Sequence, residues 1–557
     1  MKNNNNKNLI LEEYESEFSY TRSKSNLNVS FNRIAFIFFV FTIVSIIFSS
    51  KAIYLGSLKK NNSKDIIFNS EFRSSIIDRN NNIIAKSVLT NDVGIKPNLV
   101  IDKKRLLINL KLIFPEKSFE EFKKIENNLN SEKFFYIQKK ITNERLQEVL
   151  LLGDKSIRTE QKISRIYPQK NLFSHIIGQI DDGNKGISGI EKSFDFELKK
   201  NNKPLKLTVD TDIQYLIREE LKKSEEIFNN LGSAAILMNI NSGEIISLIS
   251  LPDFNLNKRE TIKDLKFTNK VTKGVYELGS VFKTLTLAAA FDYNILEPST
   301  FFEKLEKKIF CAGNQISEYD DKMPSNLTAE EILIRSSNIG SVRIAQKIGI
   351  DKYKSFLKKI GILEKVEFDI DEVGQPINFR WGKCKLATSS FGHGITTTPL
   401  QLAKAYSIIS NGGYDVKPTI IKSDKNNIRN KILNENVSNK INPILRKAVS
   451  TKEGTAHFAD VFGYEVGGKT GTADKAKNGV YTKDKINTFV SVFPISKPKF
   501  VLVILLDEPK PSKDYVYHYR DGRPPYKGNW RNTAGWTTVL IAGKIIERIG
   551  PILATKY

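Results

Sequence analysis

Seventeen consecutive residues, Ile34 to Ser50, carry no charge and are closed off by Arg33 and Lys51. This run constrains the chain more than any other stretch. In hydrocarbon a backbone must satisfy its own hydrogen bonds, so a spanning run has to be a helix. Seventeen is the short end of the roughly 17–25 residues that cross a bilayer. Ile53, Tyr54 and Leu55 lengthen it once Lys51 snorkels, which gives an expected anchor over 34–55. A cleaved signal peptide is the competing reading. The long polar leader over 1–33 and the lack of a small-x-small cleavage site favour an uncleaved anchor. Arg22, Lys24 and Arg33 precede the span, and Lys51, Lys59, Lys60 and Lys64 follow it. Charge bias therefore leaves the orientation open.

The remaining chain is too long for one core: of 557 residues, about 500 lie beyond the anchor, and single cores stop growing near 250–300. The formal net charge of +24 suits nucleic acid, an anionic membrane or a lysine-rich solvated surface. No zinc-finger spacing or aromatic-basic RNA motif accompanies it, so nucleic acid is not expected as a partner. Cys311 and Cys384 are too few for a disulfide framework or a metal site, and both a pair and two free thiols remain open. The four histidines lack metal-ligand spacing and no glycine-rich phosphate loop precedes a helix, so we expect no metal and no cofactor.

Residues 1–33 read as a polar tail and Lys59–Lys64 as a linker. Ser74 to Ala85 reads as a hairpin turning at Asn80-Asn81-Asn82. Residues 100–160 carry helical patterns dense in Lys and Glu. No chemistry is visible in the region 56–205, which reads as a spacer or docking module. The texture changes after it. Ala234–Ile240 and Glu244–Ser250 are apolar runs split by Asn241-Ser242-Gly243, a hairpin signal. Thr488–Phe493 and Phe500–Leu506 form a second hairpin. Helices lie between: Thr328 and Glu331 make a capping box, Thr398 caps a helix opening at Pro399, and Ile541–Ile549 belongs to a terminal helix. Strands, then helices, then strands predict an α+β fold with an antiparallel sheet covered by helices.

Three short motifs fall in this second part. Ser280-x-x-Lys283 places a hydroxyl and an amine on one helical face, roughly 5–6 Å apart; a desolvated lysine there can lose its proton near neutral pH and activate the serine. Ser336-Ser337-Asn338 sits between two helical patterns, and offers a hydroxyl relay and an amide able to donate and accept. Lys469-Thr470-Gly471-Thr472 reads as an edge strand. Gly471 lets a substrate backbone approach, Thr470 and Thr472 offer hydroxyls to an anion, and Lys469 adds charge. Each motif alone is ordinary: a helix start, a polar turn, a glycine-rich turn.

In this order the three resemble the signature set of the penicillin-recognising serine enzymes. From Arg73 onward the chain is similar to class B penicillin-binding proteins, through Asp78-Arg79-Asn80, Tyr167-Pro168, His175, Gly189, Glu191, Ser242-Gly243-Glu244, Phe391-Gly392-His393-Gly394, Thr398-Pro399-Leu400-Gln401-Leu402 and Asp507-Glu508-Pro509. Ser-Ser-Asn resembles the division (FtsI-like) branch, and Leu278, where Glu-Pro-Gly-Ser is usual, resembles its alphaproteobacterial form. The resemblance implies a five-stranded antiparallel sheet with helices on both faces over 206–557, an elongated pedestal over 56–205, and a single-pass inner-membrane protein with a cytoplasmic tail and a periplasmic catalytic domain. It implies acyl transfer from D-Ala–D-Ala stems through a Ser280 ester, with Lys283 as base and the Ser280 and Thr472 N–H groups as oxyanion hole. Ser336 and Lys469 would relay the proton, Asn338 would orient the stem, and Thr470 and Thr472 would receive its carboxylate. The implied partners are peptidoglycan stem peptides, β-lactams, the membrane, an FtsW-type glycosyltransferase and other divisome proteins. A D,D-carboxypeptidase or β-lactam sensor with the same site, and a catalytically silent divisome protein, stand as alternatives.

Overall fold

A computed structural model describes residues 24–57, 72–258, 265–423, 430–477, 479–527 and 531–557. Most of the expected tail and the Lys59–Lys64 linker lie outside these. The apolar run is one continuous helix, α1 (Lys24–Ser57), whose stretch Arg33–Tyr54 is long and apolar enough to cross a membrane.

The region after it is built on strands β1 (Ile76–Ile77), β2 (Ile83–Ile95), β3 (Phe135–Ile141), β4 (Ile157–Ile166) and β5 (Leu205–Lys206). β2 is the spine: it pairs antiparallel with β1, β3 and β4. The expected hairpin at 80–82 is its first turn. Helices α2 (Lys103–Ile113), α3 (Phe119–Leu129) and α4 (Asn143–Leu150) close a small core over Val93, Ile95, Leu110 and Phe114. The expectation of helices throughout 100–160 needs correction at β3 and β4. Their outward residues are Lys, Glu, Gln and Arg, and only part of each strand is buried, so the charge density that reads as a solvated helix belongs here to half-exposed strands. Beneath them lies a closed ionic cluster. Glu191 accepts from Arg73 Nε at 2.8 Å and from Arg165 Nε at 2.7 Å, and Arg73 also reaches Asp195 at 2.6 Å.

The second region carries the sheet β12–β13–β14–β6–β7, antiparallel throughout. Its strands are β6 (Gly232–Asn239), β7 (Ile245–Leu251), β12 (Gly467–Lys477), β13 (Val480–Phe493) and β14 (Phe500–Asp507). β14 is buried along its whole length, and its side chains divide by the strand period of two. Val501, Val503 and Leu505 enter one core, and Leu502, Ile504 and Leu506 enter the other. Helices α5 (Thr211–Phe228) and α12 (Thr538–Lys556) cover the second face. The first face takes α6 (Phe282–Asp292), α10 (Pro399–Ser410) and α11 (Glu435–Ser450), with α7 (Ala329–Ile334) and α8 (Asn338–Ile348) packed on α6 and α9 (Lys383–Ser389) packed on α8. α6 is buried from Phe282 to Phe291. A helix apolar on every side belongs in the middle of a large core. The capping boxes at Thr328/Glu331 and Thr398/Gln401 form. Two small hairpins complete this face: β8 (Phe301–Phe302) with β11 (Leu327–Thr328), and β9 (Lys308–Cys311) with β10 (Asn314–Ser317). Cys311 and Cys384 form a disulfide, which resolves the open cysteine question in favour of the pair.

Candidate active site

Ser280 lies in a 3-10 turn, Gly279–Val281, that leads directly into α6. The turn is wedged between two backbones. A Cβ on Gly279, which has φ +64°, would stand 2.6 Å from Thr472 O, and one on Gly471 would stand 2.1 Å from Leu278 O. Only glycine at these two positions lets the edge strand β12 and the serine turn touch main chain to main chain. The backbone leading into Ser280 is thereby brought against the backbone of Gly471 and Thr472. Leu278, in place of the usual proline, is fully buried. The turn is held instead by pairing of Tyr276 with Thr397, by the Glu277 carboxylate, which accepts from Gly394 N and Tyr481 Oη, and by Tyr406 Oη donating to Val281 O at 2.8 Å.

The helical turn from Ser280 carries Lys283 inward, while Ser280 stays partly exposed. The Lys283 ammonium has three donors, and they point at Ser336 O (2.5 Å), Ser336 Oγ (3.1 Å) and Asn338 Oδ1 (2.7 Å). Lys469, wholly buried on β12, donates to the same Ser336 Oγ at 2.9 Å and to Thr470 O at 3.2 Å. Among the described residues neither lysine has a carboxylate within salt-bridge distance. Burial in these surroundings disfavours the charged form. It brings the Lys283 pKa down to about 7, against a smaller upward pull from Glu318. It takes Lys469 well below the ordinary lysine range, with the Lys283 charge pushing the same way. Ser336 itself has φ +61°, a left-handed conformation unusual for serine. Strain of that kind persists where surrounding contacts over-determine it, and here the Lys283 bond to Ser336 O is one of them.

Ser280, Lys283, Ser336, Asn338 and Lys469 therefore meet in one pocket at the sheet edge. The hydroxyls of the third motif are already engaged. Thr470 Oγ1 lies 2.7 Å from Thr455 Oγ1, and Thr472 Oγ1 accepts from Ala534 N at 3.0 Å. Thr472 keeps part of its surface open and Thr470 is buried, so of the two only Thr472 presents accessible surface at the strand. Sequence reasoning missed the groups that support the pocket: Tyr406, Thr455, and the segment Ser317–Tyr319, which grips the turn at Ser336. The turn Ala312-Gly313 between two short polar runs was the one available signal for that hairpin.

A lysine able to be neutral, one helical turn from a half-exposed serine and next to the edge strand β12, suits serine acyl transfer on an α+β sheet. A family model for the penicillin binding protein transpeptidase domain matches residues 233–521, and one for the penicillin-binding protein dimerisation domain matches residues 71–227. The chain belongs to the penicillin-binding protein transpeptidase family. It is 28% identical over 500 residues to the probable peptidoglycan D,D-transpeptidase FtsI of Caulobacter vibrioides, covering 87% of this chain and 82% of that one. It is also 28% identical to stage V sporulation protein D of Bacillus subtilis, with 82% and 77% covered, and to the peptidoglycan D,D-transpeptidase FtsI of Buchnera aphidicola subsp. Baizongia pistaciae, with 85% and 88% covered.

Proposed function

We propose that this protein cross-links septal peptidoglycan as an FtsI-like, serine-type D,D-transpeptidase, and that β-lactams acylate the same serine. The observation that carries the reading is the single hydroxyl, Ser336 Oγ, held between two buried lysines, Lys469 and Lys283, the latter one helical turn from Ser280. Lys283 in its neutral form keeps two N–H donors and gains a lone pair. One of its three present contacts is then given up, which leaves the lone pair free to take the proton of Ser280.

Ser280 Oγ attacks the carbonyl carbon between the two terminal D-alanines while its proton passes to Lys283 Nζ. The Ser280 and Thr472 N–H groups stabilise the oxyanion; one such donor is worth about 10²–10³ in rate. The C–N bond breaks, and the departing D-alanine nitrogen takes a proton from Ser336 Oγ, which is resupplied by Lys283. Lys469 holds the Ser336 oxygen in line and adds positive charge for the terminal carboxylate, for which Thr472, and Thr470 once it turns from Thr455, offer hydroxyls. Asn338 orients the stem, which extends the sheet along Lys469–Thr472. A second stem's amine then attacks the ester carbonyl, loses its proton to Lys283 and frees Ser280.

The apolar helix Arg33–Tyr54 supports a single-pass anchor in the inner membrane, and the substrate, which lies outside that membrane, supports a periplasmic catalytic region with the tail in the cytoplasm. We assign 56–205 to the pedestal, 206–557 to catalysis, and an FtsW-type glycosyltransferase and other divisome proteins to the partners. Mass spectrometry after penicillin treatment tests the assignment. The adduct is expected on Ser280 and absent in Ser280→Ala; label on another residue overturns it. Product analysis with a donor and an acceptor stem separates cross-linking from D-alanine release alone, the mark of a carboxypeptidase.

A further inference from the structure

The Ser336–Asn338 turn is clasped from outside by three consecutive residues, Ser317 at the end of strand β10 and the two that follow it. Ser317 O accepts from Asn338 Nδ2 at 2.8 Å. Glu318 takes three donors on two oxygens: Ser337 Oγ at 2.5 Å, Asn338 N at 2.8 Å and Ile339 N at 3.1 Å. Tyr319 Oη donates to Arg335 O at 3.1 Å. The Glu318 carboxylate thus caps α8 at the residue whose Oδ1 faces Lys283, a charge placed where the helix dipole favours it. The hairpin that presents it has its own tether. Cys311 at the end of β9 is disulfide-bonded to Cys384 in the first turn of α9, and α9 packs on α8. Hairpin, turn, α8 and α9 form a closed ring with the disulfide as one link.

On the acyl-transfer reading above, we propose that Glu318 is a positioning residue for catalysis, held by the Cys311–Cys384 clip so that Asn338 and the strained Ser336 stay on the Lys283 amine. Among the described residues the charged groups that bear on Lys283 are Glu318 from the hairpin and Lys469 on β12. Rotating Asn338 would remove one Lys283 acceptor outright, and relaxing Ser336 would remove up to two more. The clasp therefore sets both the direction of the base and its company. A neutral amide at 318 offers one acceptor oxygen and an NH₂ to three donors, so it cannot reproduce the cap. Aspartate keeps the charge and shortens the reach by one methylene.

The test is the rate of acylation by a fluorescent penicillin across pH 5–9, for the parent, Glu318→Gln and Glu318→Asp, with melting temperatures alongside. Displacements of the order of 1 Å at a reacting group lower rates by up to about 10²-fold, so a plateau at least about tenfold lower is expected in Glu318→Gln. Its acid limb should also move to lower pH, because the charge that favours protonated Lys283 is gone. Glu318→Asp should keep the limb in place and recover part of the plateau. A Glu318→Gln plateau and limb both equal to the parent's overturn the proposal, as does a lower plateau whose limb has not moved, which would mark a merely structural role. Reduction of the disulfide in the full-length protein provides a measure that needs no mutation at 318: slower acylation is expected, and an unchanged rate overturns the clip. Failure of the parent to be labelled at Ser280 would instead overturn the acyl-transfer reading itself.

Discussion

Two places in this molecule bury positive charge completely, and they treat it in opposite ways. In the region that matches the dimerisation domain, Arg73 and Arg165 are matched by Glu191, whose two oxygens each take one guanidinium, and by Asp195. In the catalytic pocket, Lys283 and Lys469 share one neutral hydroxyl and no ion-paired carboxylate. Paired charges fix geometry, because removing either partner strands the other. Unpaired ones relieve the cost of burial by giving up a proton. Guanidinium suits the first task, since it stays charged and binds bidentately; ammonium suits the second, since its pKa moves readily. The same degree of burial makes one cluster a clamp and the other a base.

The largest effect expected from breaking this contrast is on rate. Lys283→Met preserves length and removes the base, so acylation of Ser280 should fall by about 10²–10⁴-fold while the melting temperature does not fall. A variant that reacts at the parental rate, or that melts well below the parent, would contradict the view that this buried cation is kept for chemistry. Glu191→Gln should do the reverse. It leaves two buried guanidiniums short of charge and is expected to cost about 3–5 kcal/mol of stability, read by chemical denaturation, while the protein that remains folded is acylated at the parental rate. A loss of rate without loss of stability would show that the pedestal cluster serves the site directly.

The smallest effect is in pH dependence. Acylation should rise with pH through about 7 as Lys283 loses its proton. Stability should follow with a definite sign. Below about 7 Lys283 is protonated in both states and the burial penalty is present in full. Between about 7 and 10.5 the unfolded chain binds the proton and the folded chain does not, so stability climbs with pH, by up to roughly 1.4 kcal/mol per unit. The difference in unfolding free energy between the parent and Lys283→Met, measured at pH 6 and pH 9, isolates this contribution. A difference that does not change between the two would place the Lys283 pKa elsewhere.

What could be read beforehand follows from the range of the interactions. Ser280 and Lys283 share a helical face by spacing alone, Thr398 announces its helix within four residues, and the two-residue period of Phe500–Leu506 fixes both faces of a central strand. The pairing of these into one pocket was legible only through the resemblance, since nothing local says that residue 336 will sit between 283 and 469. Glu318 was out of reach for the same reason. Its three donors are about 20 residues away in sequence and face it only because a short hairpin folds back. Where the helical reading of 100–160 failed, at Phe135–Ile141 and Ile157–Ile166, the strands show solvent a row of Lys, Glu and Arg, and the pattern of a half-exposed strand merges with that of a charged helix. Leu278 illustrates a third kind of gap: a turn that lacks its usual proline keeps its shape through Tyr406, Glu277 and the 276–397 pairing, all of them contacts from distant parts of the chain.

The central strand has a consequence for how the protein comes into being. β14 pairs with β6 in the register Ile504 with Ala235, so the sheet joins segments separated by nearly half the chain. Closing so large a loop costs entropy before any contact repays it, and folds dominated by such pairings form slowly. For a chain synthesised from its N-terminus, the β6–β7 hairpin emerges long before its partner, with the β6 edge open and apolar on both sides. That interval is when the molecule is most exposed to aggregation and proteolysis. Since β12 joins the sheet only through β13 and β14, the pocket cannot take substrate until nearly the last of the chain has arrived. On the acyl-transfer reading, a half-made chain then has no completed site for stem peptide or drug to acylate.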